Sequence, residues 1–441
     1  MRLASCLALL LCAASLAAQT LPPGAWPAPK PEEVCVYRAR PLEPGQVLQR
    51  TVLPWRAGEA GAPAQTATFD VTYNGFTPEA EAAFQYAVDI WARLLTSSVP
   101  IGINATFEPL FPGALGSAGS NGVFPVDVDG EISLYPSALA DALTGVDQGM
   151  GSADIFASFS STASWYFGLD GNPGLNEFDF VSVVLHELGH GLGFFGSADY
   201  GLGCIGGSED SGCWGFGLEV PIIYDRFAED AEGIPFLDTD AYPQNSTALG
   251  DLITGNNLFA DGTLLSSTTE GRPRLFAPAT FFGGSSFSHL NDATYAPGTE
   301  NALMTPRISR GEVLQSPGPI VCRMFTEFGW TVDLEACDAL TPPVEVERPA
   351  EPVGTYWLAS PYPNPVRVSA TVAFAIARPV PVRVEVYDVL GRPVQTLYDA
   401  TPDADTPVRA RLDATRLASG TYVVQITGEG FRETQRVTVV R

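Results

Sequence analysis

Hydrophobic and polar positions predict strands and helices in alternation after residue 65. Residues 68–73 and 100–107 alternate between apolar and polar side chains, as strands do. Between these strands, Thr77 offers an N-cap and Pro78 a first helical position, and the apolar residues that follow recur at helical spacing. Residues 153–159 predict another strand. Because strands and helices alternate along the chain, we expect an α/β layer.

A second helix is predicted from residue 180 to about residue 192, with Asp179 as its N-cap. The buried stripe of this helix is formed by Val181, Val184, Leu185 and Leu188. Residues 196–284 are rich in glycine and weakly periodic, which predicts an irregular subdomain. Residues 320–328 predict a helix that closes the domain.

The C-terminal part of the chain has a different pattern. Residues 341–355 are rich in proline and glutamate, which is typical of a linker. Short alternating runs separated by turns then cover residues 370–376, 382–387, 408–412, 421–426 and 434–440. Short strands at regular spacing predict a small all-β sandwich over residues 356–441.

The N-terminus has the features of a secretory signal peptide over residues 1–18. Arg2 precedes an apolar stretch that ends in small residues. The stretch is too short for a membrane span, and no later apolar run reaches the roughly 18 residues that a span requires. Residues 19–64 are rich in Pro, Gly and Ala and lack clear periodicity, so we interpret them as a leader or propeptide. Residues 65–340 remain for the main domain.

Charge narrows the classes of partner. The formal net charge is −26, and no Lys or Arg occurs between Arg93 and Arg226, where 16 Asp and Glu stand. Such a chain should repel nucleic acid and anionic membranes. Basic substrates, bound cations, a salty habitat, or codon bias with a need for solubility would each fit this composition.

Export permits disulfides, and five cysteines remain after the signal peptide. The economical local pairs are Cys204–Cys213 and Cys322–Cys337, which leave Cys35 over in the leader. A thiolate is a good zinc ligand, so Cys35 could also occupy an open position on a metal before activation.

The run HELGH places His186 and His190 four residues apart on the second predicted helix. Two imidazoles in that relation share one helix face and can bind one Zn²⁺. Glu187 lies beside them and would reach a zinc-activated water as general base rather than bind the metal. The alternative to a zinc site is a helix that carries the HExxH pattern by chance. However, two of the three histidines in the chain stand in this motif.

A catalytic zinc requires a third protein ligand. His289 is the remaining histidine, and Asp199, just past the helix, is the rival ligand. His289 could equally be a hydrogen-bonded surface residue. Residues 127–131 (DVDGE) could bind Ca²⁺, but they lack the EF-hand spacing, so we expect a solvated turn there and no supported calcium site.

The run HELGHGLGF resembles the metzincin metalloproteases, whose motif is HExxHxxGxxH. Gly193 matches the glycine of the motif, but Gly196 stands where the compact motif has its third histidine. A distant histidine followed by the run ALMTP resembles the leishmanolysin branch, in which an inserted subdomain separates the ligands. The resemblance implies His289 as third zinc ligand and Met304 as the Met-turn. It also implies a metzincin-like α/β (α+β) catalytic domain with a twisted sheet and an active-site helix over residues 65–340.

The metzincin resemblance also suggests a substrate-binding edge strand. In that family, an edge strand near the active-site helix holds an extended peptide through backbone hydrogen bonds. By analogy, we assign this role to residues 153–159.

Residues 356–441 resemble the sorting domains of the type IX secretion system. The runs that match are YPNP from Tyr362, VEVYDVLGRPVQTL from Val384, and LASGTYVVQI from Leu417. The resemblance implies passage through the periplasm, handling by the type IX machinery, and release from the cell or attachment to its surface. A generic sandwich that binds carbohydrate or protein is the alternative.

These features predict a secreted, monomeric zinc metalloendopeptidase that acts on protein or peptide substrates. Zinc would be bound by His186, His190 and His289, with Glu187 as general base. Two alternatives stay open: a catalytically silent adhesin or binding protein on a metalloprotease scaffold, and a zinc hydrolase that acts on a non-peptide bond.

Overall fold

The computed structural model divides the chain into two compact units, residues 1–347 and residues 348–441. The structure describes residues 37–40, 50–56, 59, 61–111, 113–174, 176–217, 220–266, 271–339, 356–358, 366–376, 378–389, 391–402 and 408–440. The predicted signal peptide, Cys35 and the predicted linker lie outside the described residues.

The first unit mixes helices with several small sheets. Its helices are α1 (Pro78–Leu94), α2 (Ser137–Thr144), α3 (Phe180–Leu192), α4 (Thr247–Thr254), α5 (Gly318–Phe328) and α6 (Leu334–Asp338). Its strands are β1 (Tyr37–Ala39), β2 (Arg50–Val52), β3 (Phe69–Asn74), β4 (Leu95–Thr96), β5 (Ile101–Glu108), β6 (Ala114–Ser120), β7 (Val123–Val128), β8 (Glu131–Pro136), β9 (Ile155–Ser160), β10 (Trp165–Tyr166), β11 (Phe178–Asp179), β12 (Asp199–Tyr200), β13 (Gly212–Cys213), β14 (Ala228–Asp230), β15 (Leu258–Ala260), β16 (Arg307–Ile308), β17 (Val313–Gln315) and β18 (Thr331–Val332).

The largest sheet has the strand order β16-β1-β6-β9-β5-β3. Strands β3, β5 and β9 are parallel, whereas β6 is antiparallel to β9. The predicted strand at 153–159 is β9, but the substrate-binding role assigned to it was wrong, because β9 is an interior strand. The strand beyond it is β6, which comes from a segment whose small residues (ALGSAGS) show no alternation of apolar and polar side chains.

The helix predicted over 180–192 is confirmed as α3. It begins at the predicted cap: Asp179 accepts a hydrogen bond from the backbone N–H of Ser182 at 3.0 Å. It ends at Gly193, whose φ of 127° suits glycine. Every residue of α3 is buried, because the helix packs between α1 and the face of the large sheet. The indole of Trp91 on α1 donates a hydrogen bond to the carbonyl of Leu185 at 3.1 Å.

The described residues of the leader contain two strands that the sequence did not predict. Its strands β1 and β2 pair with β16 and β17, respectively, both in parallel. A strand of three residues is too short to show a period of two, so the pattern could not reveal it.

The region 196–284 is irregular, as expected, and contains one α-helix and several two- or three-residue strands among its described residues. Two disulfides, Cys204–Cys213 and Cys322–Cys337, confirm the predicted pairs. The acidic run at 127–131 forms the turn of the β7–β8 hairpin, in which Asp129 and Gly130 both have positive φ.

The second unit contains β19 (Tyr356–Leu358), β20 (Ser369–Ile376), β21 (Val382–Tyr387), β22 (Pro393–Ala400), β23 (Val408–Asp413), β24 (Gly420–Gly428) and β25 (Phe431–Val439). They form a sheet in the order β19-β20-β23 and another in the order β22-β21-β24-β25. Alternate side chains of β20, β21 and β24 contribute to one hydrophobic core. All five predicted strands are present, whereas β19 and β22 were not predicted.

Candidate metal centre

Three imidazoles meet at one point in the first unit. His186 and His190 project from α3, and His289 comes from an irregular segment 99 residues beyond His190. The Nε2 atom of His190 lies 3.1 Å from Nε2 of His186 and 3.1 Å from Nε2 of His289. Two nitrogens on one tetrahedral zinc stand about 3.3 Å apart, given Zn–N bonds of about 2.0–2.1 Å. The spacing therefore suits one small cation.

The other nitrogen of each ring contacts a backbone carbonyl. The Nδ1 atoms of His186, His190 and His289 lie 2.6 Å, 2.6 Å and 2.8 Å from the oxygens of Leu303, Phe194 and Ser285. A carbonyl only accepts, so each Nδ1 carries the proton and donates it. In the neutral rings, each Nε2 then presents a lone pair, and the contacts between these atoms are not hydrogen bonds. This is the outer-shell arrangement that orients metal-binding histidines.

Burial keeps these rings neutral. It lowers the pKa of His190 to about 4, and the pKa values of His186 and His289 also fall well below their usual range. Desolvation is the largest cause for all three, and the neighbouring imidazoles disfavour further charge on His186 and His289. Neutral imidazole is the form that binds a metal.

Glu187 lies beside the histidines, with its side chain against β6. The carboxylate is fully buried, and neither oxygen has a hydrogen-bond partner among the described residues. Burial raises its pKa well above the usual range. The backbone N–H groups of Ala118 and Tyr37 face the carboxylate and oppose this rise, but neither meets the geometry of a hydrogen bond. A Cβ on Gly116 of β6 would lie 3.1 Å from Cγ of Glu187, so a side chain at position 116 would press on Glu187. A buried carboxylate without a partner is costly, which points to a chemical role.

Gly196 occupies the position where the compact motif would have its third histidine, and the structure leaves no room for a side chain there. A Cβ on Gly196 would lie 2.0 Å from the ring of Phe287 and 2.9 Å from Tyr224. The rival ligand Asp199 lies in β12, paired with Cys213, and is not part of the histidine cluster. Among the described residues, the candidate metal ligands converge only at His186, His190 and His289.

Met304 packs under the site against α3. Its side chain is fully buried, and its Sδ would lie 2.9 Å from a Cβ on Gly189, between the two helical histidines. The preceding residue, Leu303, supplies the carbonyl that receives the proton of His186. The segment that contains Met304 therefore packs against α3 and orients His186.

Tyr37 is a residue of the site that sequence reasoning missed. Its ring stacks on His186 with a centroid distance of 3.6 Å and an interplanar angle of 9°, and it is fully buried. It lies in the leader, 149 positions before His186, and no local pattern connects the two. The order of strands in the large sheet alone brings it to the metal centre.

The donor set fits zinc. Three neutral nitrogens with spacing near that of a tetrahedral site, outer-shell carbonyls and an adjacent carboxylate are what a catalytic zinc site uses. Nitrogen donors argue against Ca²⁺ or Mg²⁺, which take oxygen ligands.

Two parts of the chain match family models. Residues 360–440 match the model described as secretion system C-terminal sorting domain. Residues 74–202 match a model described as SPBPB7E8-like. The matched residues include α1 and α3 and end before His289. No curated protein matches the chain.

The sorting domain shows that the protein is exported. The chain is handled by the type IX secretion machinery and is secreted or located at the cell surface, as the sequence predicted. Within the described residues, no helix combines the length and the apolar character that a membrane span requires.

Proposed function

We propose that the first unit is a zinc-dependent endopeptidase with Glu187 as general base. The observation that carries this proposal is the meeting of three Nε2 atoms next to a buried carboxylate without a hydrogen-bond partner. A metzincin-like fold of the leishmanolysin type is part of the proposal, supported by the distance between His190 and His289 and by the position of Met304 under α3.

His186, His190 and His289 would hold the zinc. Bound there, zinc would act as a Lewis acid, lowering the pKa of water and polarising a carbonyl group. The three backbone carbonyls at Nδ1 fix the orientation of the imidazoles and hold their protons away from the metal. Glu187 would accept the proton of the attacking water and deliver it to the departing amine.

The edge of β6 supports a peptide as substrate. This strand contacts α3, and its outer edge is already paired with an extended segment, β1. An extended peptide can add to a sheet edge through its backbone, independent of most of its side chains. A non-peptide ester or amide would use no such edge, and a protein that only binds would not need a buried carboxylate beside the histidines.

The test uses purified chain without its signal peptide, unfolded casein as substrate, and metal analysis in parallel. We expect one zinc per chain, casein cleavage that stops on removal of zinc by a chelator, and recovery on zinc addition. A zinc-loaded, folded chain that cleaves neither casein nor peptides would contradict the proposal and favour the binding protein. Cleavage of esters alone would favour the non-peptide hydrolase.

A further inference from the structure

We propose that β1 is an internal blocking strand, which occupies the peptide-binding edge of β6 and closes the metal centre until it is displaced. That the edge of β6 binds a peptide substrate rests on the proposed function. That β1 occupies this edge is observed in the contacts of residues 37–40. The occupant is thus a segment of this chain, held by Tyr37 at one end and by Arg40 at the other.

The backbone of β1 fills a slot between two strands. It is antiparallel to β6, with Tyr37 opposite Gly116 and Arg38 opposite Ala114. On its other side it is parallel to β16, with Arg38 opposite Arg307 and a hydrogen bond from the N–H of Arg40 to the carbonyl of Ile308 at 2.7 Å. A peptide that adds to the edge of β6 needs these backbone positions, so β1 and an incoming peptide exclude each other.

Tyr37 anchors the strand at the metal centre. It is the one buried residue of β1, since Arg38 and Ala39 are exposed. Its ring covers His186, its hydroxyl lies 3.5 Å from the carbonyl of Leu303, and its backbone N–H faces Glu187. The residue opposite Gly116 therefore contacts His186 and faces Glu187, the proposed zinc ligand and the proposed general base.

Arg40 connects the strand to the segment that carries His289. Its guanidinium lies 3.5 Å from the carboxylate of Asp292, which also contacts Arg307 at 3.1 Å. The blocking strand therefore bridges the helix and the irregular segment that together supply the zinc ligands. Its removal would uncover both, and among residues 37–40 it would take only Tyr37 out of the core.

The leader is held at a second place that is independent of the metal centre. Arg50 at the start of β2 donates hydrogen bonds to Oδ1 of Asn172 at 2.7 Å and to the carbonyl of Pro173 at 3.2 Å. Substitution of Arg50 should loosen the leader without opening the slot, so it provides a matched control for Tyr37.

The experiment measures binding of a fluorescent peptide with the sequence of residues 36–42, VYRARPL, to chelator-treated protein by anisotropy. Wild-type protein should bind it poorly, because the tethered strand competes at an effective concentration of about millimolar. In Tyr37→Ala the resident strand loses its anchor, and we expect the peptide to bind about a hundredfold more tightly. Arg50→Ala and Tyr37→Phe, which keeps the stacked ring, should behave as wild type.

Amide exchange gives a second measurement that does not need a peptide. In Tyr37→Ala, residues 114–120 should exchange faster than in wild type, whereas in Arg50→Ala they should not. If Tyr37→Ala does not fold, Ala39→Pro disrupts the strand pairing at an exposed position and replaces it.

Equal peptide affinity and equal exchange in wild type and the β1 variants would overturn the blocking strand. Failure of the proposed function gives a different result: the variants would bind the peptide tightly and still cleave nothing when loaded with zinc. If both proposals hold, Tyr37→Ala should also cleave casein faster than the full wild-type chain.

Discussion

Helix α3 and the irregular segment around His289 supply histidines to the same candidate metal centre by different means. On α3, His186 and His190 share a face because they are one turn apart, and the helix is capped, buried and packed on both sides. The segment around His289 has no helix to position its ligand. It uses single contacts instead: the carbonyl of Ser285 orients the ring of His289, and the N–H of Leu290 donates to the carbonyl of Met304 at 2.8 Å.

The comparison also shows that the two parts depend on each other. The carbonyl of Leu303, in the irregular segment, orients His186 on the helix, 117 residues away in sequence. A local motif can bring two ligands together, but their orientation comes from a distant part of the chain.

The largest effect is expected from loss of the ligand that the irregular segment supplies. His289→Ala should weaken zinc binding by more than the roughly 10–100-fold that loss of an outer-shell partner costs, and it should abolish activity. Asp199→Ala is the control and should do neither. Metal analysis after dialysis measures the difference. Full zinc occupancy in the His289 variant would mean that the third ligand lies elsewhere.

Glu187→Ala separates catalysis from metal binding on the helix. Because Glu187 is a base and not a ligand in the proposed mechanism, the variant should keep its zinc and lose about 10²–10⁴-fold in kcat. Zinc content and casein cleavage are measured on the same sample, with Glu209→Ala, at an exposed turn, as control. Cleavage at the wild-type rate would remove Glu187 from the mechanism.

Gly196→Ala tests whether the junction between helix and irregular segment tolerates a side chain. The new Cβ would overlap the buried ring of Phe287, and such overpacking costs about 1–3 kcal/mol of unfolding free energy. Gly283→Ala is the matched control, because a Cβ there meets nothing within 4 Å. Denaturant unfolding of both variants measures the difference. Equal stability would show that Phe287 yields, and that a ligand at position 196 is not excluded by packing.

The smallest effect is expected at Met304. Met304→Leu conserves volume, so it should cost less than about 1.5 kcal/mol of unfolding free energy and leave zinc bound. Met324→Leu makes the same exchange at another buried position, on α5, and shows the cost of the substitution in the core alone. A loss of zinc in the Met304 variant that matches His289→Ala would give the thioether a direct part in metal binding, which the present argument does not include.

Local sequence was sufficient to predict the parts of the molecule whose stabilising interactions join residues near one another in the chain. A cap at Asp179, a periodic stripe and a terminal glycine define α3 to the residue, and with it the relation of His186, Glu187 and His190. The two disulfides join near neighbours, and five strands of the second unit alternate clearly enough to be predicted. In each case the interactions that decide the structure lie within about 15 residues of one another.

Tertiary structure alone decided what joins distant segments. The sequence left His289 and Asp199 both open, and packing separates them by placing Asp199 in β12 and His289 opposite α3. The sequence could not show that β6, rather than β9, borders the site, because strand order depends on pairing and not on the pattern within one strand. Nor could the sequence show that Tyr37 lies over His186. A three-residue strand carries no period, and the position of β1 comes from its pairing with two strands of the main domain, β6 and β16.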